Sequence, residues 1–287
     1  MKLTLVIIIR YINMRHQYIC FFWDSLNIIT FLTDFGLKGG YVAQMKGVAL
    51  SITDARLIDI THDITPHNVR EGAFILRTTV PYFPVGTIHV AVVDPGVGTD
   101  RKGIIITTKT QILIGPDNGL LLPAARVLGD FTVYEIINKN YILGRVSNTF
   151  HGRDIFASVA AHIAKGIPFD KIGKQSTNFV ELDLGQGKIT NKTAVGKINY
   201  IDRFGNLITN INGIKLLEFL NFNEKITVLT RDKKREALFV QSYGFVNKGE
   251  LLVTVGSSNL LEISINQGNA AQELGINLDE EVKLIYI

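Results

Sequence analysis

Ile28-Ile29-Thr30-Phe31-Leu32-Thr33, cut off by Asp34-Phe35-Gly36, is the stretch from which the fold can be read. An apolar, β-rich run stopped by a turn tripeptide predicts a buried strand. After it, Val42, Met45, Val48 and Ala49 recur near helical spacing and predict a helix over Tyr41 to Ser51. The alternation continues with a strand at Leu57 to Ile60, a helix at Asn68 to Val80, and a strand at Thr87 to Val93 ended by Asp94-Pro95-Gly96. Strands alternating with helices through short connections imply an α/β domain, a mostly parallel sheet with helices on both faces. Further strands are expected at Gly103 to Thr107, Gln111 to Ile114 and Thr132 to Ile137, and a helix from about Arg153 to Ala164.

Past residue 185 the pattern changes to short β-rich runs between Gly, Asn and Asp: Ala194 to Ile201, Lys225 to Thr230, Ala237 to Gln241, Leu251 to Val255, Leu260 to Ile265 and Glu281 to Ile287. This predicts a smaller C-terminal antiparallel β-barrel domain, with the boundary near Gly185-Gln186-Gly187-Lys188. The expected division is an extension over 1–27, an α/β catalytic domain over 28–185 and a substrate-binding barrel over 186–287.

With 287 residues, 46% hydrophobic and 20% charged, the chain is long and apolar enough for sizeable cores, which excludes a disordered or stapled miniature protein. Thirty basic against 26 acidic residues leave a net charge of +4 without a dense basic tract, so no nucleic-acid partner is implied. The lone Cys20 excludes an intramolecular disulfide framework and a cysteine-based metal cage, and fits a reducing cytoplasm. No apolar run approaches the roughly 20 residues of a membrane span. Residues 1–27 hold the only Trp beside Tyr18, Phe21 and Phe22, without an amphipathic period or a small-residue cleavage site. They are expected to be a poorly ordered or mis-assigned start, and deletion of residues 1–26 is expected to leave activity intact.

Chemistry-bearing residues gather where strands end, the place ligands occupy in open α/β sheets. Asp34 and Asp94 both stand there, each also an ordinary turn residue. Arg101 follows Asp94 on the same tight loop, where a structural ion pair is the plain alternative. Asp117 and Asn118 lie on another glycine-bounded turn. Phe150-His151-Gly152-Arg153-Asp154 opens a helix, and His151 is the strongest acid–base candidate. His62, Asp63 and His67 are a metal-capable set, but Ile64-Thr65-Pro66 places a turn between them, and no metal is expected. No G-x-G-x-x-G follows the first strand and no phosphate-loop lysine motif occurs, leaving dinucleotides and nucleoside triphosphates without support.

Taken in order, Thr33-Asp34-Phe35-Gly36, Gln44-Met45-Lys46-Gly47, Asp94-Pro95-Gly96-Val97-Gly98 with Arg101, Gly115-Pro116-Asp117-Asn118-Gly119, Thr149-Phe150-His151-Gly152-Arg153-Asp154, and Asp202-Arg203-Phe204-Gly205-Asn206 resemble the S-adenosylmethionine (SAM) hydroxide adenosyltransferase family, adenosine-forming SAM hydrolases related to fluorinating and chlorinating enzymes. The resemblance implies attack of water or hydroxide on the ribose C5′ of SAM without a metal or organic cofactor. It implies a homotrimer with sites at subunit interfaces. It places the catalytic set on Asp94, Arg101 and His151, and substrate contacts on Asp34, Phe150, Asp202, Asn206, Tyr243, Ser257, Ser258 and Glu262. The family's halogenating members differ at the positions of Asp94, Arg101, His151 and Gly152, so hydroxide is expected over halide. A SAM-dependent halogenase and a non-catalytic SAM- or adenosine-binding module are the alternatives. Two departures stand out: Gly39 where many relatives have an acidic residue, and His67 where halogenating relatives carry Trp.

Overall fold

In the computed structural model, residues 27–286 are described. The expectation for the N-terminal extension lies outside them, Asn27 excepted. The first sheet is built from β1 (Ile28–Thr33), β2 (Arg56–Thr61), β3 (Ile88–Val92), β4 (Gly103–Thr108), β5 (Ile112–Pro116), β6 (Phe131–Ile136) and β7 (Gly173–Ser176), in the order β2-β1-β3-β5-β4-β6-β7. The pairs β1–β2, β1–β3 and β3–β5 are parallel, while β4–β5, β4–β6 and β6–β7 are antiparallel. Five strands therefore run one way and only β4 and β7 oppose them, so the sheet is mostly parallel.

Alternation along the strands sends side chains to two cores. Ile29, Phe31, Val90, Val92 and Ile105 meet α1 (Tyr41–Ile52) through Met45 and Ala49 on one face. Leu32, Ala91, Val93, Ile104 and Ile106 meet α2 (Val69–Thr79) and α3 (Leu122–Leu128) on the other. Helices thus cover both faces, which explains why β1 and β3 are buried at every position, their few polar side chains, Thr30, Thr33 and His89, included. The start of α2 is fixed by Asn68, whose side-chain oxygen accepts the Glu71 N–H at 3.1 Å.

The second sheet comprises β8 (Lys188–Ile189), β9 (Thr193–Ile201), β10 (Leu207–Asn212), β11 (Lys225–Leu229), β12 (Lys234–Phe239), β13 (Leu251–Val255), β14 (Leu260–Ile265) and β15 (Glu281–Ile285). Its order is β10-β14-β13-β12-β11-β15-β9-β8, and the β9–β10 pairing closes seven strands into a barrel with β8 outside on β9. The barrel is filled by Ile198, Leu207, Phe239, Val253, Leu261, Ile263 and Leu284, among others.

The barrel is not wholly antiparallel as the sequence suggested: β12 and β13 pair in parallel, because residues 240–250 cross over instead of forming a hairpin. β10 was not anticipated as a strand, since its Leu-Ile-Thr-Asn-Ile-Asn run carries two residues depleted from strands. The two halves meet where Phe74 of α2 stacks on Tyr200 of β9, ring centroids 5.3 Å apart, over Leu184, Ile208 and Leu260.

Candidate active site

The C-terminal ends of the adjacent strands β1 and β3 deliver Asp34 and Asp94 to one side of the sheet. A cavity of about 250 Å³ lies there, walled by Asp34, Phe35, His67, Asp94, Phe150 and His151. Asp34 Oδ2 accepts the backbone N–H of His67 at 2.9 Å, tying the first strand's end to the loop before α2. His67 itself adopts a left-handed backbone, φ 67°. Phe35 and Tyr41 each pack edge-on against Phe150 and tilt against one another, with centroids 5.2 to 6.1 Å apart.

Asp94, Arg101 and His151 come together although 50 residues separate the last two. Arg101 Nε lies 3.0 Å from each Asp94 oxygen, and Nη2 contacts Oδ2 as well, a forked ion pair. The same Nη2 lies 2.9 Å from His151 Nδ1, and Nη1 donates to the Lys102 carbonyl at 3.2 Å. The Asp94 side chain is only 5% exposed and that of Arg101 11%, so the pair is desolvated. Burial pushes the His151 pKa below its ordinary value and the Arg101 charge adds to this, while Asp94 and Asp154 pull it back.

His151 stands directly before a π-helical turn, Gly152–Ala157, that runs into α4 (Ser158–Ala164). The sequence predicted an ordinary helix here. In the widened turn Asp154 is fully buried and accepts Ser147 N–H at 2.7 Å and Arg153 Nε at 2.6 Å. Such turns recur at functional sites.

The metal-capable trio disperses. His62 Nδ1 is 2.9 Å from Thr33 Oγ1, and Nε2 is 2.9 Å from Oδ1 of Asp59, whose Oδ2 binds Lys46. His67 faces the cavity, and no cluster of three metal-capable side chains occurs among the described residues. His62 instead supports the site, because Thr33 Oγ1 also accepts Phe35 N–H and the His62 carbonyl accepts Gly36 N–H at 2.8 Å. Sequence reasoning missed this role; its signal is a hydroxyl immediately before the strand-end aspartate. Asp117 and Asn118 serve the scaffold, Asp117 accepting Val180 N–H and Asn118 donating to the Val93 carbonyl, both at 2.8 Å.

The remaining residues proposed to contact substrate lie on the barrel, apart from this cavity's walls. Asp202 Oδ1 accepts Phe204 and Asn206 N–H, and Oδ2 accepts Asn206 Nδ2, closing the β9–β10 turn. Glu262, nearly buried on β14, accepts the Tyr243 hydroxyl at 2.6 Å and that of Ser264 at 2.7 Å. Burial, then the Glu262 bond and charge, push the Tyr243 phenol pKa well up. Ser257 is exposed and Ser258 half-buried on the turn before β14.

The profile of the SAM hydroxide adenosyltransferase N-terminal domain matches residues 29–173, and that of the C-terminal domain residues 196–283. The chain belongs to this family. Among SAM hydroxide adenosyltransferase relatives, a protein of Methanocaldococcus jannaschii named (R)-S-adenosyl-L-methionine hydrolase is 39% identical over 274 residues, 92% of this chain and 97% of that one. One of the same name from Salinispora tropica is 38% identical, over 89% and 97%. A fluorinase from Actinopolyspora mzabensis is more distant, 29% identical over 66% of this chain and 72% of its own. A crystal structure of a conserved protein from Thermotoga maritima, 38% identical, superposes with a TM-score of 0.86 over 90% of this chain and 99% of that one.

Proposed function

We propose that this chain hydrolyses SAM, water or hydroxide displacing methionine from ribose C5′ to release adenosine and L-methionine. The observation that carries the reading is the Asp94–Arg101–His151 cluster, assembled from two loops at a cavity wall in a chain with hydrolase-named relatives. The (R) configuration at sulfur is proposed for the substrate because those relatives carry it in their names.

The chemistry suits these groups. SAM supplies its own leaving group, since sulfonium becomes neutral thioether as the C5′–S bond breaks, so no acid is needed at sulfur. Anion attacking cation also destroys charge, which a water-poor cavity favours. Asp94 faces the positively charged substrate, and Arg101 offsets that carboxylate. Asp34 takes ribose hydroxyls, Phe150 lies along the sugar and base, and Asp202, Asn206, Tyr243, Ser257, Ser258 and Glu262 hold the adenine and methionine portions. No cofactor enters this scheme.

A homotrimer, one copy's barrel completing another's cavity, belongs to the same proposal. It is supported by the cavity's size, about 250 Å³, at or below the roughly 300 Å³ lower end of small-molecule pockets, and by barrel residues absent from its walls. A cytoplasmic setting follows from cysteine usage and the SAM substrate; among the described residues no helix is long and apolar enough to cross a membrane.

The test is incubation with SAM in ¹⁸O-water. Heavy oxygen in the 5′-hydroxyl of released adenosine supports the reading. A chloride-dependent 5′-chloro product, or SAM bound but unchanged, overturns it.

A further inference from the structure

We infer that His151 acts on the nucleophile as a hydrogen-bond donor through Nε2–H, and that Arg101 stands behind it as the positioning residue that fixes this tautomer. The inference deepens the hydrolase reading and rests on it for the nucleophile's identity.

An arginine side chain has five N–H groups and no acceptor. In Arg101 the Nε–H and one Nη2–H go to Asp94, the other Nη2–H goes to His151 Nδ1, and one Nη1–H goes to the Lys102 carbonyl. Four of the five are thus engaged within the protein, and the guanidinium carbon lies 5.2 Å from the Phe156 ring centroid. The cavity walls include Asp94 and His151 but not Arg101. The cation therefore lies one layer back from the reacting atoms.

A ring nitrogen 2.9 Å from an N–H donor has to accept, so Nδ1 keeps its lone pair and the neutral ring carries its proton on Nε2. Protonating Nδ1 would set two N–H groups head to head. The charged groups around the ring are Arg101, Asp94 and Asp154, and burial with Arg101 favours the neutral form. The Ser147 backbone is the protein acceptor that competes for the ring proton.

A nucleophile that takes the Nε2–H from the Ser147 carbonyl meets a donor and no base. The balanced step starts from hydroxide whose proton has already passed to bulk water. Its oxygen bonds to C5′ as the C5′–S bond breaks, the bonding pair goes to sulfur, and neutral methionine thioether leaves beside a finished 5′-hydroxyl. Donation is stronger to hydroxide than to water, so Nε2–H raises the bound hydroxide population and holds it in line with the carbon.

His151→Gln keeps an N–H at the side chain's end but has no basic nitrogen, whereas His151→Ala has neither. With adenosine release as readout, His151→Ala should lose about 10²–10³ in kcat with KM little changed, as for removal of one preorganised donor. His151→Gln should recover to within about tenfold of wild type, the scale of one imperfect hydrogen bond. Glutamine as inactive as alanine overturns the inference, because that is the signature of a required base. In the substrate-free protein, ¹⁵N NMR of the ring should show Nδ1 bare and Nε2 protonated, the preference weakening in Arg101→Lys; a proton on Nδ1 overturns it. The NMR readout needs no turnover, so a wild type releasing no adenosine would sink the hydrolase reading and leave the tautomer result standing.

Discussion

Gly98→Ala tests whether the site depends on how closely its two loops approach. Gly98 has φ +78°, and a Cβ built there would lie 2.2 Å from the Asn148 carbonyl oxygen, where real Cβ contacts stay above 3.0 Å. Asn148 sits three residues before His151, and Gly98 three before Arg101, so this contact sets the gap that the Arg101–His151 hydrogen bond spans. The loops have to separate by at least the difference between 3.0 and 2.2 Å, about 0.8 Å. Added along the 2.9 Å contact, that shift carries it past hydrogen-bonding range. Misplacement by about 1 Å costs up to roughly 10²-fold in rate, so kcat should fall about 10- to 100-fold. The left-handed backbone adds about 1–2 kcal/mol of strain for alanine, visible as a lower Tm. Gly96→Ala is the control on the same loop, its Cβ meeting Arg101 Cγ at 3.4 Å, Thr99 Oγ1 at 3.5 Å and Arg101 Cβ at 3.9 Å, all ordinary contact distances. Adenosine release and a thermal melt read both variants. Wild-type turnover and Tm in Gly98→Ala would refute the reasoning.

Arg101→Ala strands a carboxylate that is only 5% exposed, and a loss of about 3–5 kcal/mol is expected in urea melts. Arg101→Lys should regain part of that stability but little turnover, because one ammonium cannot fork onto Asp94 and reach His151; equal recovery of both would contradict this. Buried His89, held between Thr30 and Gln111, has its pKa lowered to about 4, first by desolvation. Between the unfolded value near 6.5 and about 4 the unfolded chain binds a proton that the folded one refuses, so stability falls as pH drops through that window, by about 3 kcal/mol in all. Denaturant melts from pH 7 to 4 should show this slope in wild type and lose it in a folded His89→Gln. His62→Ala unpins Thr33 and the Asp34–Phe35 turn; KM should rise more than kcat falls, with about 1–3 kcal/mol of stability lost, and an unchanged KM argues against a positioning role.

The parts of this molecule legible in sequence are those fixed by local physics. β1 and β3 are mostly apolar and buried throughout because helices cover both faces, and Asp34 and Asp94 are visible because each sits where such a run must stop. What stayed hidden depends on side-chain direction. His62 and His67 are five residues apart, yet one is buried against Thr33 and Asp59 and the other faces the cavity, because the chain between them turns and His67 enters the left-handed region. Arg101 was readable as a neighbour of Asp94, but its place behind the wall follows from His151, supplied by a loop 50 residues away. Of the barrel, β10 was obscured by its asparagines, and the parallel β12–β13 pairing by a crossover that has the length of an ordinary loop.

A site of this kind has to attract a cationic substrate and also hold an anionic nucleophile beside it. A bare carboxylate serves only the first need: two unit charges of like sign 4 Å apart repel by about 4 kcal/mol at an effective dielectric of 20. The Asp94–Arg101 pair relieves this conflict, because the guanidinium behind the carboxylate offsets its charge while Asp94 still lines the cavity wall. In the proposed reaction that carboxylate also discriminates between nucleophiles. Hydroxide and water carry an O–H that can donate to Asp94 while their lone pairs accept from His151, whereas a halide has no proton to offer the carboxylate and gains only the donor. In the proposed reaction the preference for an oxygen nucleophile resides in a carboxylate and an N–H donor standing side by side, with Arg101 setting the protonation of one and the charge of the other.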